Sequence, residues 1–335
     1  MRILAIAEAI GPLAAAHAAT ALARGAVAAG CPAGNLAAVP LAEAGPGFGE
    51  VWAALEGQPL ERSITDEPAE RWSVPSRDSL AVGVSRLGVE DTFPPPVSSA
   101  LLGEHLVAEL SGGMPSRVVL DLTGTDSHDL GRGFLNAVAG AGLASTELVG
   151  ILPSDQTDLP LLGLQGATAK AGYAAGLAVG EVLALERQAE ATAAELTAAH
   201  AAQDDAASLP GSGAQGGLGF AAALLGARLV SGPAYLAETL RLDQSLRRSD
   251  LVLLAVPSLD VASEPGPVTD MVLAMAAEAM VPVVGISPVV AIAARELRLR
   301  GFESAAAFGP ANGDPAAAEQ AVSETVSRVV RGWLR

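Results

Sequence analysis

The chain has 335 residues, half of them hydrophobic and 3% aromatic, and its 37 acidic and 20 basic side chains give a net charge of −17 at pH 7. This length favours two domains, and a core of small apolar side chains suits layered α/β packing. Because so acidic a surface repels nucleic acid and anionic membranes, neither is expected as a partner. A single cysteine excludes an intrachain disulfide and a cysteine metal cluster.

The first apolar run, Ile3–Ala7, follows a basic residue and imitates a secretory signal, and Cys31 imitates a lipoprotein acylation site. However, Glu8 and Arg24 place charges where such a signal is uncharged. The run is therefore interpreted as a first buried strand, and the protein is predicted to be cytoplasmic. Export as a lipoprotein acylated on Cys31 is the alternative.

Further apolar runs of strand length follow along the chain, with helical patterns between them. Continuous runs suit strands that are covered on both faces, which indicates a largely parallel sheet with crossover helices. The predicted strands after Ile3–Ala7 are Leu36–Leu41, Arg117–Asp121, Leu148–Leu152, Leu251–Val256 and Pro282–Ile286. Because alternating strands and helices favour parallel neighbours, Ile3–Ala7 and the last two strands are expected to share one sheet.

The helical patterns and their breakers complete the prediction. An Ala-rich helix is expected from about Pro12 to Arg24, and one long helix from Leu161 to Gln203. Glycines at 25, 140 and 226 are expected at or near helix ends, and prolines at 288 and 315 at helix starts.

Two segments depart from the alternating pattern. Glu61–Pro96 is rich in proline and carries short polar strands, which predicts a hairpin region or the edge of an inserted domain, whereas Asp204–Gly219 is a polar, Gly-rich loop. The predicted fold class is therefore α/β: a Rossmann-like, mostly parallel sheet domain made from residues 1–60 and 245–335, interrupted by an inserted α/β domain at 61–244.

The motif Gly211-x-Gly213-x-x-Gly216 has the spacing of a dinucleotide-binding loop. With 37 glycines in 335 residues, about 0.4 such matches are expected by chance, and this one does not follow a strand. Two interpretations stay open: a flexible turn into a helix, or a helix start whose N–H groups hold an anion.

The Gly-rich segment is part of a longer pattern that resembles the glycerate kinase family, of the glycerate 2-kinase type. The sequence from Pro210 to Gly219 is similar to the family's P-G-A-G-A-A-G-G-L-G, and Asp250-Leu-Val-Leu to its A-D-L-V-I. Other landmarks follow in order over nearly the whole chain. They are Gly11–Gly25 for the first helix, Pro40–Gly47 for P-L-A-D-G-G-E-G, Thr123–Gly133 for G-G-S-A-T-N-D-G-G-A-G, and Asp158–Gly176 for D-N-P-L-T-G-P-x-G-A-S-x-x-F-G-P-Q-K-G.

The resemblance implies a set of site residues at these landmarks. The implied catalytic carboxylates are Glu8, Asp129, Asp158 and Asp260. The implied substrate- or nucleotide-binding residues are Gly11, Glu43, Gly45, Gly47, Arg132, Gly216, Gly217 and Gly219. These residues are expected to converge on one cleft, without a defined metal ligand set.

The charged residues of the family's motifs are largely replaced, whereas the glycines and prolines that shape the backbone survive. Ala175 stands where the fourth motif has its lysine, Val256 where the last has glutamate and Ser258 where it has arginine. The sequence contains one lysine, Lys170, which aligns with neither family lysine. Because losing one transition-state cation can slow phosphoryl transfer by roughly 10³–10⁵, catalysis is expected to be weak unless Arg132 or Lys170 compensates.

Each candidate also has a purely structural interpretation. Glu8 could complement a helix N-terminus, Asp129 could cap the helix predicted at Leu130–Ala139, and Asp158 could shape a turn. His128 is expected to be solvent-exposed rather than a proton carrier. Arg247-Arg248 is expected to be a solvated surface pair.

Two functional hypotheses follow. The resemblance implies ATP- and Mg²⁺-dependent phosphorylation of D-glycerate, a small-molecule substrate. The alternative is a catalytically inactive pseudoenzyme that binds a small anion or a protein partner. These motifs specify neither the hydroxyl that would be phosphorylated nor the oligomeric state.

Overall fold

A computed structural model describes residues 1–64, 69–87, 92–200, 205–310 and 313–334. Over these residues the strands are β1 (Ile3–Ala7), β2 (Leu36–Pro40), β3 (Glu61–Ile64), β4 (Ala69–Pro75), β5 (Ser79–Arg86), β6 (Arg117–Asp121), β7 (Glu147–Leu152), β8 (Arg228–Ser231), β9 (Leu251–Ala255), β10 (Leu259–Asp260), β11 (Val283–Ser287), β12 (Val290–Ala291) and β13 (Ser304–Ala307). The helices are α1 (Ala15–Ala28), α2 (Pro46–Glu56), α3 (Ala100–Leu110), α4 (Arg132–Ala137), α5 (Ala167–Ala174), α6 (Val179–Ala199), α7 (Ala214–Leu224), α8 (Gly232–Thr239), α9 (Leu242–Arg247), α10 (Pro267–Glu278), α11 (Ala294–Leu299) and α12 (Pro315–Trp333).

The chain divides into two compact units. Unit 1 contains Met1–Glu43 and Pro233–Arg335, and unit 2 contains Ala44–Gly232. The boundaries predicted from the sequence lay at 60/61 and 244/245, whereas the chain divides into these units at 43/44 and 232/233. Each unit has its own buried apolar cluster.

Unit 1 is built on a five-stranded sheet in the order β13-β11-β9-β1-β2, and every pairing in it is parallel. The prediction that the first strand shares one sheet with the strands near 251–256 and 282–286 is confirmed. All five residues of β1, β9 and β11 are buried, as expected for strands covered on both faces. The sheet therefore joins the two ends of the chain.

Unit 2 is built on a six-stranded sheet in the order β3-β4-β5-β6-β7-β8. Its first two pairings are antiparallel, and the other three are parallel. The predicted hairpin region is confirmed by the two antiparallel pairs, which lie between Glu61 and Arg86. The mixed α/β fold class is thus confirmed.

Gly25 lies in the last turn of α1, where α12 packs against the helix; a Cβ on Gly25 would lie 2.7 Å from Val326 Cβ. Two other predictions about helices are wrong. Pro288 lies in a bend between β11 and β12 and starts no helix. The long helix predicted over 161–203 is two helices, α5 and α6, separated near Gly176, whose φ of +79° ends helical geometry.

Loops that follow β1 and β9 in unit 1 and β6 and β7 in unit 2 leave the carboxyl edges of the two sheets. In open α/β sheets these edges are where ligands bind. Among the described residues, no helix combines the length and the apolar character that a membrane crossing requires.

Candidate functional site

In unit 1, the predicted residue Glu8 follows β1 and lies at the N-terminus of α10. The hydroxyl of Thr269, in the first turn of α10, donates to Glu8 Oε1 at 2.8 Å. A Cβ on Gly266, the N-cap of α10, would lie 3.9 Å from Glu8 Oε2. The structure therefore places Glu8 at a helix N-terminus, but at that of α10 and not at that of the following helix, α1.

The environment of Glu8 favours its protonated form. Burial raises the pKa of the carboxyl; the Thr269 hydrogen bond opposes this rise, and the nearby Glu43 carboxylate adds to it. Two predicted residues, Glu8 and Glu43, therefore interact electrostatically at the carboxyl edge of the unit 1 sheet. A half-buried carboxyl with a raised pKa can hold or exchange a proton nearer neutral pH than an exposed one.

Asp260, also in unit 1, organises its own loop. Its carboxylate accepts hydrogen bonds from the hydroxyls of Ser258 (2.6 Å) and Ser263 (2.9 Å) and from the backbone N–H groups of Ala262 (2.8 Å) and Ser263 (2.6 Å). These bonds, the Ser258 bond foremost, lower the pKa of Asp260 to about 2. A carboxylate with so low a pKa is a weak general base near neutral pH.

In unit 2, Asp129 connects the start of α4 to the start of α3. Its two oxygens accept from the N–H groups of Gly131 (3.0 Å) and Gly133 (3.1 Å) at α4. They also accept from the Ser98 hydroxyl (3.1 Å) and from the N–H and hydroxyl of Ser99 (both 3.0 Å) before α3. This geometry supports the capping interpretation of Asp129.

Arg132, at the first position of α4, faces Glu195 of α6. Its two terminal nitrogens donate to the two carboxylate oxygens at 2.9 and 2.8 Å, which makes a bidentate ion pair. The hydrogen bond from Arg132 lowers the pKa of Glu195, and the same bond raises the pKa of Arg132. The guanidinium is therefore engaged within the protein.

The remaining predicted residues lie in turns and at helix starts. Gly11 and Asp158 are exposed in turns. Gly45 caps α2 with a φ of +114°, and its N–H donates to Asp121 Oδ2 at 2.7 Å, while Gly47 is exposed in the first turn of α2. Asp121 is 1% exposed and also accepts from the N–H and hydroxyl of Thr123.

The Gly-rich loop before and within α7 is shaped by close packing. Residues 215–217 have positive φ angles. A Cβ on Gly216 would collide with Ser127 O and lie 2.8 Å from His128 Cα, and one on Gly217 would lie 2.7 Å from Leu130 Cα. Gly217 and Gly219 are buried, whereas Gly216 borders a cavity.

This cavity of about 640 Å³ lies wholly within unit 2, and its size is typical of small-molecule sites. We call it the α5 cavity, because α5 and the residue after it form one wall with Lys170, Ala171, Ala174 and Ala175. The opposite parts carry polar side chains from three loops: Asp126, Ser127, His128, Asp155, Gln156 and Gln215. It therefore combines one ammonium group with two carboxylates, side-chain amides and an apolar wall.

His128 is a neutral hydrogen-bonding group in this wall, so the expectation of a solvent-exposed histidine is wrong. Its Nε2 shares a hydrogen bond of 3.0 Å with the hydroxyl of Thr168, and its ring packs edge-on against Phe93 with centroids 4.7 Å apart. Burial lowers the pKa of His128 to about 4, and the nearby Asp129 only partly offsets this.

The α5 cavity brings together Gly216 of the predicted set with residues that the sequence analysis did not select. Asp126 and Asp155 are ordinary loop carboxylates by sequence, and nothing local distinguishes them. Lys170 does carry a signal, because it is the one lysine of the chain. Within either unit, no three described His, Cys, Asp or Glu side chains form a group that could hold a metal ion.

Comparison with known proteins agrees with this architecture. The chain matches the sequence profile of the Glycerate kinase family over residues 144–334, which is more than half of its length. The chain belongs to the glycerate kinase family. It is thus a glycerate kinase-like protein of a family that implies ATP-dependent phosphoryl transfer to a small molecule.

Individual relatives were also found. The chain is 28% identical over 294 residues to uncharacterised proteins of Mycobacterium bovis and Mycobacterium tuberculosis, covering 82% of this chain and 75% of each relative. A crystal structure described as a glycerate kinase 2 from Salmonella typhimurium LT2 superimposes with a TM-score of 0.76 at 21% identity. That match covers 99% of this chain and 97% of the other, and it supports the fold.

The donors of the α5 cavity fit the ATP and Mg²⁺ that the family implies. Mg²⁺ in such sites is usually held by one or two carboxylates together with substrate phosphates, and not by a cage of protein ligands. Asp126 and Asp155 supply two carboxylates, and Lys170 supplies an ammonium group for phosphate oxygens.

Proposed function

We propose that this protein phosphorylates D-glycerate with ATP, and that it does so slowly. Membership of the glycerate kinase family supports the reaction. The α5 cavity carries the proposal, because one ammonium group and two carboxylates line a space of small-molecule size. When bound, Mg²⁺ supplies charge neutralisation on the phosphates.

In this proposal the chain's own residues bind and orient the ligands. Asp126 and Asp155 hold the metal, Lys170 contacts phosphate oxygens, and neutral His128 offers a hydrogen bond without adding charge.

The low rate follows from residues that are engaged elsewhere. Arg132 is held by Glu195 in a bidentate pair, and both oxygens of Asp129 accept bonds from the starts of α3 and α4. Arg132 is thus paired with Glu195 in the absence of ligand, and each transition-state cation that is missing can cost roughly 10³–10⁵ in rate.

A coupled assay of ADP release from Mg-ATP with D-glycerate tests the proposal, with the rate measured without glycerate subtracted. We expect acceptor-dependent turnover below about 1 s⁻¹, compared with roughly 1–100 s⁻¹ for kinases. Asp155→Asn, which removes a carboxylate of the α5 cavity, is expected to abolish it. Turnover within the usual range would contradict the slow reaction, and an unaffected Asp155→Asn variant would contradict the role of the α5 cavity.

The second candidate function is ligand binding without turnover. The Arg132–Glu195 ion pair favours it, because the pair engages a cation that could otherwise stabilise the transition state. Ligand positioning and transition-state charge stabilisation are separate contributions, so a protein can bind its ligand after catalysis is lost. ADP binding together with no glycerate-dependent turnover would select this function over the first.

A further inference from the structure

Lys170 carries the one ammonium side chain in a sequence whose other basic residues, apart from four histidines, are all arginines. It lies in the middle of α5 and is exposed towards the α5 cavity. No described residue forms a hydrogen bond or an ion pair with its side chain. Among the described residues, then, its charge is not neutralised by a direct partner.

Two carboxylates line the α5 cavity without pairing with its ammonium group. Asp126 and Asp155 line the same space as Lys170, and neither forms an ion pair with it. Cation and carboxylates thus border the cavity separately. A ligand that carries both phosphate oxygens and a divalent cation can satisfy all three groups at once.

The position of Lys170 on α5 relates it to a missing cation. The resemblance described above aligns Ala175, within 158–176, with a lysine of the family motif. Residues 170, 171, 174 and 175 all border the α5 cavity. A lysine at 170 therefore faces the same space as a lysine at 175 would, from about one and a half helical turns earlier along α5.

We propose that Lys170 binds the phosphate groups of a nucleotide in the α5 cavity and replaces the cation absent at Ala175. The inference rests on the proposed function, since it concerns the same site. It adds a specific residue and a specific ligand group: the cationic contact to phosphate has moved along one helix while the cavity has stayed the same.

The test is an equilibrium titration of the full chain with ADP at saturating Mg²⁺, in which calorimetry measures the binding. Lys170→Met is expected to weaken ADP binding about 10-fold or more, as is typical for losing a hydrogen bond to a charged group. Because Lys170 is exposed on α5, its substitution is expected to leave the melting temperature unchanged. Unchanged ADP affinity in Lys170→Met would overturn the inference.

A second arm moves the lysine back. The double variant Lys170→Ala/Ala175→Lys is expected to recover most of the affinity lost in Lys170→Ala. Failure to recover it, in a protein that melts as the unsubstituted chain does, would overturn the replacement of one cation by the other.

A matched control distinguishes direct contact between Lys170 and phosphate from the effect of the protein's net charge. Arg187→Met removes one positive charge from an exposed position on α6, outside the cavity lining, and is expected to leave ADP affinity within about 2-fold. An equal loss in Arg187→Met and Lys170→Met would overturn direct contact. No ADP binding by the unsubstituted chain would instead reject the proposed function, and this inference with it.

Discussion

His128 illustrates how a single side chain changes character when the chain folds. By sequence it is a polar residue in a loop. In the structure it shares a hydrogen bond with Thr168, packs against Phe93, and its pKa is lowered to about 4 by burial. It is therefore neutral over the physiological range, which suits hydrogen bonding to a ligand rather than charge pairing.

The lowered pKa of His128 predicts a pH dependence of stability. Between pH 6.5 and about 4 the unfolded chain binds a proton that the folded chain does not, so this contribution is complete above pH 6.5 and is lost as the pH falls. His128→Asn is expected to reduce the loss of unfolding free energy between pH 7 and pH 4.5, by on the order of 2 kcal/mol. Urea unfolding at the two pH values measures it.

The exposed His17 on α1 provides the control as His17→Asn. An equal flattening of the pH dependence in that variant would contradict the assignment to His128. So would an NMR titration of the His128 ring with a midpoint near 6.5.

Only some residues of the candidate site could be predicted from local sequence patterns. Asp129 and Asp260 were found by motif position, yet each is engaged by several donors that only the folded loops bring together. Asp126 and Asp155 lie 29 positions apart on two loops, so their common cavity is a tertiary property. Lys170 stood out by composition alone, which could not show that it faces a ligand-sized space.

At the scale of elements, α1 and α12 form a close helix pair that depends on Gly25. A Cβ at this position would collide with Ser323 O and lie 2.7 Å from Val326 Cβ. Gly25→Ala is therefore expected to lower the unfolding free energy by about 1–3 kcal/mol, because overpacking outweighs the better helix propensity of alanine. Chemical denaturation measures the change.

Gly180, at the start of α6, is the matched control because nothing lies within 4 Å of its would-be Cβ. Gly180→Ala is expected to stabilise the protein by up to about 1 kcal/mol. Stabilisation by both substitutions would show that propensity, not the contact with α12, governs Gly25.

Burial and local packing explain which helices and strands could be predicted from the sequence. The continuous apolar runs were informative because β1, β9 and β11 are buried on both faces. Breakers were less informative, since a glycine can mark an end, as Gly176 does, or a close contact, as Gly25 does. Local sequence does not distinguish these uses.

At the scale of the whole molecule, unit 2 has the features of an independent folding unit. It is continuous in sequence, it has its own six-stranded sheet, and its apolar cluster lies entirely between Ala69 and Ala227. A fragment of residues 44–232 is expected to unfold cooperatively, as followed by circular dichroism in urea. A fragment of residues 233–335 is expected not to, because β1, which pairs with β9, is absent from it. A non-cooperative 44–232 fragment would contradict this prediction.

The split sheet of unit 1 imposes an order on the newly made protein. Of the five strands of this sheet, β1 leaves the ribosome before the others, but its neighbour β9 is synthesised only after all of residues 44–232. At the usual 5–20 residues per second, that interval is roughly 10–40 s. Throughout it, β1, α1 and β2 present apolar side chains that no finished core covers, while unit 2 has time to fold behind them. Until β9 is synthesised, the apolar side chains of β1, α1 and β2 are therefore surface that chaperones can bind.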